Sequence, residues 1–283
     1  MEGWLVYRKS EAERNKHYIT FYEEACRKRD VTITLKYYED FSYGAAPEGS
    51  ALFYQGETVT KPDFVIMRAD VPEFSEHLDF MGYRLFNNAR VSAIANDKFK
   101  TLQLAARLNI PVPVTRLAHN ENALTEAAAL GYPLVIKPRD GHGGHDVLWV
   151  EDEKKLKEIL QDYDHKTFLL QQPVSDLGRD LRVYIIGGKP VAAMLRSRDD
   201  DFRSNYCLGG SAQKFELTDR ELTMIKKITS VLEIDYAGID FMFHEGKSIL
   251  NEMEDVVGAR MLYHLTDIDV VDVYIDHILS KLT

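Results

Sequence analysis

The segment Gly238-Ile-Asp-Phe-Met-Phe-His-Glu-Gly-Lys-Ser-Ile-Leu-Asn-Glu-Met-Glu254 carries three carboxylates, Asp240, Glu252 and Glu254, at positions that a β-hairpin brings to one face. Side chains alternate along a strand. A three-residue loop, His244-Glu245-Gly246 with glycine in the left-handed conformation, keeps the even-numbered residues of both strands on the same side. Opposed and diagonal partners then lie roughly 5–8 Å apart. Carboxylates that close repel one another in a half-buried sheet, but they suit a hard divalent cation, Mg²⁺ or Mn²⁺. A solvent-facing strand edge with ordinary charges has the same pattern, so the hairpin alone leaves both readings open.

Cationic residues recur at positions that make sense if an anion is bound. Lys98 follows Asn96 and Asp97, either of which can cap a helix running to about Leu108, so the lysine falls in the first turn. A cation there opposes the helix dipole, so Lys98 is either an ordinary solvated lysine or the partner of an anion held elsewhere. Lys137 ends the apolar run Tyr132-Pro-Leu-Val-Ile, and Pro138 stops any helix from continuing. The loop Asp140-Gly-His-Gly-Gly-His-Asp146 comes next; Gly141, Gly143 and Gly144 let the backbone approach a ligand and turn N–H groups toward phosphate oxygens. No Gly-Lys-Ser/Thr follows, so it is not a Walker loop. His142 and His145 have metal-ligand spacing, but a loop tip holds zinc poorly. Arg182, Arg196 and Arg203 are ordinary strand or surface residues singly; as a set they resemble an anion clamp.

Several elements must position these groups. Trp4–Tyr7, a helical stretch over 15–29 and an alternating stretch over 31–37 read as a β-α-β start, followed by a buried strand at Pro62–Met67 and a helix over 74–85. No glycine-rich turn follows the first strand, which excludes a dinucleotide fingerprint. A helix over 121–130 stops at Gly131. A charged helix spans 153–161, a strand over 167–174 reaches a hinge, and Gly178–Arg196 forms an antiparallel hairpin across Gly187-Gly188. With 283 residues there is room for two domains or one large one, and no repeat or low-complexity segment interrupts them. Lys+Arg 35 against Asp+Glu 45 gives a net charge of −10 without a basic run, which argues against a general nucleic-acid surface. Two distant cysteines, Cys26 and Cys207, suggest a reducing compartment, and no segment has the length and apolarity of a membrane span or a leader. The cytoplasm is the expected location. Tyr37, Tyr38, Phe41 and Tyr43 offer either a homo-oligomer interface or packing under a loop.

Taken in order, Asn96-Asp-Lys98, Val-Ile-Lys137-Pro with its glycine loop, Gly178-x-Asp180-x-Arg182, Phe202-Arg-Ser-Asn205 with Gly209-Gly-Ser211, and Gly238-x-Asp240 ending in Asn-Glu252 resemble the ATP-grasp ligases, and within them the RimK-like carboxylate–amine ligases. The resemblance covers essentially the whole chain. It implies a mixed α/β and α+β fold: a preATP-grasp α/β domain over 1–90, then an ATP-grasp domain over 91–283, whose lobes at 91–172 and 173–283 clasp ATP. It makes Lys98 and Lys137 the phosphate lysines, places Gln171, Gln172 and Val174 at the adenine hinge and Asp180 near the ribose, and turns Arg182, Arg203 and Asn205 toward the transferred phosphate or the acyl-phosphate. Asp240 and Glu252 match its Mg²⁺ ligands.

Two departures matter. Glu254 stands where relatives commonly carry Asn, adding a negative charge that is still able to ligate the metal. Asp255-Val-Val-Gly-Ala-Arg260 replaces a usual Ser-Pro-Gly turn, so substrate choice does not transfer. Arg260 is either a fork for a substrate carboxylate or a helix-end salt bridge. The implied reaction joins a carboxylate to an amine through an acyl-phosphate. An ATP-grasp kinase acting on a hydroxyl and a non-catalytic nucleotide binder are the alternatives.

Overall fold

The computed structural model describes residues 1–47, 49–141, 146–163, 166–198, 201–203 and 210–283. Four sheets occur among them. The first is parallel, in the spatial order Thr32–Tyr37, Glu2–Tyr7, Phe64–Met67, Leu85–Phe86. Its central strands are apolar on both faces, as a parallel sheet covered on both sides requires. On one face Trp4, Val6, Val65 and Met67 pack with Phe74 and Leu78 of helix Pro72–Phe80; on the other, Leu5, Tyr7 and Phe64 meet Tyr22 and Cys26 of helix Lys16–Arg27.

The helix expected over 74–85 ends at Phe80, and Leu85–Phe86 turns back into the sheet as its edge strand. A three-stranded antiparallel sheet, Phe41–Ala46, Gly49–Tyr54 and Glu57–Thr58, was not foreseen. Within it Phe41 is buried, 4.9 Å from the Phe74 ring and 5.7 Å from Trp4, while Tyr43, still 36% exposed, lies 5.0 Å from Phe74.

Residues Leu148–Val150, Leu134–Pro138, Phe168–Gln171 and Thr115–Ala118, in that spatial order, form a second antiparallel sheet covered by helices Ala123–Leu130 and Glu153–Asp162. The fourth sheet is antiparallel, in the order Ser211–Lys214, Lys189–Ser197, Asp176–Ile186, Tyr236–His244, Lys247–Glu254. Helices Ala89–Ala95, Lys98–Arg107 and Asp219–Thr229 back it, with Val91, Ala105, Ile225 and Phe241 in one core. Helix Asp219–Thr229 begins in a capping box in which Thr218 and Glu221 satisfy each other's backbone N–H groups.

The N-terminal sheet and the five-stranded sheet are joined by a continuous apolar core. Tyr184 and Tyr236 from the latter, and Tyr274, Ile275 and Ile278 from the C-terminal helix Val270–Leu282, pack with Leu5, Tyr7 and Tyr22. Each such fully buried side chain stabilises by about 1.5–3 kcal/mol relative to exposure. Asn87 stitches the junction with polar bonds, accepting from the Asp235 and Tyr236 amides (2.8 and 2.9 Å) and donating to the Tyr236 carbonyl (2.5 Å). Among the described residues no helix is long and apolar enough to cross a membrane.

Candidate functional site

The carboxylate hairpin forms by a route different from the expected one. The turn holds two residues, Glu245 (φ 50°) and Gly246 (φ 69°), between His244 and Lys247. Two left-handed residues in succession match the twist of the flanking strands. With that turn, odd residues pair with even ones, Phe241 with Leu250 and Phe243 with Ser248, and the carboxylates would fall on opposite faces. A β-bulge corrects this. The register shifts between Asp240 and Phe241, the extra residue being Asn251, so that Asp240 stands opposite Glu252 and Gly238 opposite Glu254. One oxygen from each of Asp240, Glu252 and Glu254 then lies within 4.8 Å of the other two.

These three acids sit among compensating cations. Across the neighbouring strand pair, Arg182 grips Asp240 in a fork, Nε to Oδ1 at 2.8 Å and Nη2 to Oδ2 at 2.6 Å, and its Nη2 also lies 2.7 Å from Glu254. Arg196 donates to Asp240 at 2.7 Å and forks onto Asp180. Lys98 is 3.4 Å from Glu252 and also donates to the Gly141 carbonyl. Lys137, buried at the end of its strand, reaches the Asn251 side chain at 3.1 Å. Burial disfavours the charged carboxylates throughout. At Asp240 the two arginines outweigh it and hold the group down at about 2. Glu252 is likewise held low, against burial, chiefly by Lys98, whereas burial wins at Glu254 and Asp180 and raises both. Lys137 is pushed down to about 8 by burial, only partly offset by Glu252. Three carboxylates converging with oxygen donors fit a hard divalent cation, which takes such ligands at about 2.0–2.6 Å.

A cavity opens beside the hairpin, lined by Lys98, Lys137, Gln171, Asp180, Glu252 and Glu254 among others. Lys98 is the first residue of its helix, whose cap is Asp97; Oδ1 of that cap accepts from the Phe99 and Lys100 amides, and Oδ2 accepts from Nε and Nη2 of Arg139. Gln171, Gln172 and Val174 border the same cavity. The Gln172 amide already donates to the Val114 carbonyl (2.9 Å), and its side chain donates to Leu130 at the end of helix Ala123–Leu130 (2.8 Å). Gln171 bonds Thr115 at 2.7 Å. Asp180 lines the cavity with its oxygens taken by Arg196. Gly141 and Arg203 border it too, Arg203 held at 2.7 Å by Asp201. Asn205, Gly143, Gly144, His142, His145 and Cys207 lie outside the described residues.

A second, larger cavity adjoins the first at Glu254 and runs to the N-terminal sheet. Arg260, exposed at the start of helix Arg260–Leu265, stands on its wall, with no ion pair to any described carboxylate; the helix-end salt bridge is not made. Sequence reasoning missed Asn251, whose bulge sets the carboxylates and whose amide meets Lys137. It also missed Arg68, which leaves the apolar strand Phe64–Met67 as Lys137 leaves its own, the same signal in a second place.

Residues 95–278 match the RimK-like ATP-grasp domain. N-acetylaspartylglutamate synthase A of Homo sapiens is 30% identical over 244 residues, 81% of this chain and 62% of that protein, so the chain spans less than two thirds of that relative. A probable alpha-L-glutamate ligase of Maridesulfovibrio salexigens is 29% identical over 240 residues, 81% of this chain and 80% of the other. Among solved structures, that of D-cycloserine synthetase superposes with a TM-score of 0.75 at 17% identity, covering both chains completely, which is a likeness of fold.

Proposed function

The chain belongs to the RimK-like ATP-grasp family, and from that premise we propose that it is an ATP-dependent ligase that joins a carboxylate to an amine, releasing ADP and phosphate. The observation that carries this reading is the junction of the two cavities at Glu254, where a lysine-lined pocket that also holds Glu252 meets an arginine-bearing one. A phosphoryl donor on the first side and an acid on the second would meet there. The relatives named for glutamate ligation and for N-acetylaspartylglutamate synthesis point the same way.

In this reading residues 1–90 wall the substrate side, and the lobes at 91–172 and 173–283 clasp ATP. Lys98 and Lys137 bind the phosphates, and Gln171, Gln172 and Val174 border the adenine. Asp240, Glu252 and Glu254 would hold Mg²⁺, which neutralises phosphate charge and so supplies Lewis-acid assistance. Mn²⁺ suits the same oxygen set. A carboxylate oxygen of the acid attacks the γ-phosphorus, the bond to the β-phosphate oxygen breaks, and ADP leaves. The amine nitrogen then attacks the acyl carbon, the carbon–oxygen bond to phosphate breaks, and the amine gives up its proton. Arg182, beside Asp240 and Glu254, would take the negative charge that builds on the acyl oxygen, and Arg203 and Asn205 would answer the transferred phosphate.

The experiment is Mg²⁺-dependent release of ADP and phosphate from ATP across paired pools of acids and amines. The expected result is release that needs one member of each pool. ADP without free phosphate, formed on hydroxyl compounds, would replace the ligase with a kinase.

A further inference from the structure

The second cavity, about 770 Å³, runs from Glu254 and Arg182 past Arg260 to Tyr7, Tyr18 and Arg68 of the N-terminal region. Most of its arginines already have carboxylate partners. Arg8 pairs with Asp70 at 2.7 Å, Arg14 with Glu11 at 3.3 Å, Arg182 with Asp240 and Glu254, and Arg196 with Asp180 and Asp240. Arg68 differs. It is 6% exposed and forms no ion pair with any described carboxylate. Its Nη2 donates to the Val257 carbonyl at 3.0 Å, while Nε and Nη1 are buried without a hydrogen-bond partner.

Its surroundings are equally one-sided. The guanidinium lies 5.5 Å from the centre of the Tyr18 ring and 6.0 Å from that of Tyr236. The hydroxyls of Tyr7 and Tyr22, from the same core, are also buried and unpartnered. Ring faces and hydroxyl dipoles ease a buried cation, but they do not neutralise it. A desolvated charge without a counter-ion is costly enough that folded proteins nearly always pair it. The compensating anion must therefore come from outside the described chain, and Arg68 is part of the wall of the cavity through which it can arrive.

We infer that Arg68 receives an anionic group of the substrate, distinct from the carboxylate that reacts beside Glu254, and so selects acids that carry a second negative charge. The inference rests on the ligase reading for the cavity's role. Arg260, exposed on the same wall, is the competing receptor, and an inorganic anion such as chloride is the competing occupant of Arg68.

Calorimetric titration in the presence of Mg²⁺ and ADP tests this without turnover. The probes are dicarboxylates from succinate to adipate, each against the monocarboxylate of equal chain length. For one chain length the diacid is expected to bind at least about tenfold more tightly, a difference of about 1.4 kcal/mol. Arg68→Met should bring that ratio to about one with ADP affinity retained, and Arg260→Met should leave a preference in place. Wild-type ratios near one at every length overturn the inference even if the Arg68 variant fails to fold. Persistence of the preference in Arg68→Met, its loss only in Arg260→Met, or equal competition by sodium chloride against diacid and monoacid also overturns it. Failure of the ADP-release assay with the diacid preference intact would sink the ligase reading and leave the anion receptor standing.

Discussion

Lys137 shows how a single residue's environment becomes a functional property. Burial lowers its amine to about 8, so in the ligand-free protein it loses its charge within a range that ordinary lysines do not reach. The sign follows directly. Between about 8 and the normal lysine value near 10.5 the unfolded chain holds the proton and the folded chain does not, so stability of the free protein rises with pH across that window. Phosphate binding reverses the preference, because an adjacent anion favours the charged amine. ATP affinity should therefore fall as the pH is raised from about 7 to about 9.5, and less steeply in Lys137→Arg, whose guanidinium stays protonated; titration calorimetry at the two pH values reads this. Asp240 predicts a different outcome. Its removal leaves two buried arginines short of a counter-charge, so Asp240→Asn should cost about 3–5 kcal/mol in denaturant titrations as well as turnover. The positions of charges were legible where one stood at the end of an apolar run, in the first turn of a helix or in strand alternation: Lys137, Lys98, Asp240 and Glu252 all converge on one region. The occupation of Asp180 by Arg196 was not, because a pairing across neighbouring strands leaves no trace in local spacing.

At the scale of elements, the hairpin is decisive. The sequence was read as a three-residue loop, and the structure has a tight two-residue turn corrected by a bulge at Asn251. Two departures from the expected register cancel, which is why the carboxylates were placed on one face for an incorrect reason. Turn type and bulge position depend on packing of both strand faces, here Met253 and Leu250 into the core, and hydrophobic alternation alone does not specify them. Deleting Asn251, the extra residue, leaves a regular ladder in which Asp240 still stands opposite Glu252 and Ile239 opposite Met253. Mg²⁺-dependent ATP turnover should therefore survive the deletion, whereas its loss in a folded deletion variant would show that the bulge's local geometry, and not the pairing, sets the site. Asn251→Ala keeps the bulge residue and removes only the amide that meets Lys137. It should retain measurable turnover with weaker ATP binding, and an inactive, fully folded Asn251→Ala would show that the side chain matters more than the register.

Over the whole molecule, the N-terminal α/β region and the C-terminal helix are fastened together at the surface as well as through their core. Arg29 bonds Asp272 through Nη1 and Nη2 at 2.8 and 2.9 Å and Asp276 through Nε at 2.7 Å. Asp272 is held below the usual carboxylate range by its bonds to Arg29, so this tie is complete above that range and is lost as the pH falls through the folded value. Arg29→Ala should lower the melting temperature by about 2–4 °C, on the scale of about 1 kcal/mol for a network of this exposure. It should leave the ADP-release rate unchanged, because the tie lies away from both cavities. The general architecture was legible because the motifs keep their order along the chain, whereas the core shared by Tyr7, Tyr184, Tyr236 and Tyr274 was not, since residues so distant in sequence give no periodic signal. Ligation through an acyl-phosphate requires that the acid's own oxygen attack the γ-phosphate. An acid and amine pair identified by ADP release, with the acid's carboxylate labelled in heavy oxygen, tests this most directly. One labelled oxygen per turnover should appear in the released phosphate, and Glu252→Ala should suppress the transfer by at least about a hundredfold. Phosphate released without the label, at an undiminished rate of amide formation, would contradict the acyl-phosphate and the function built on it.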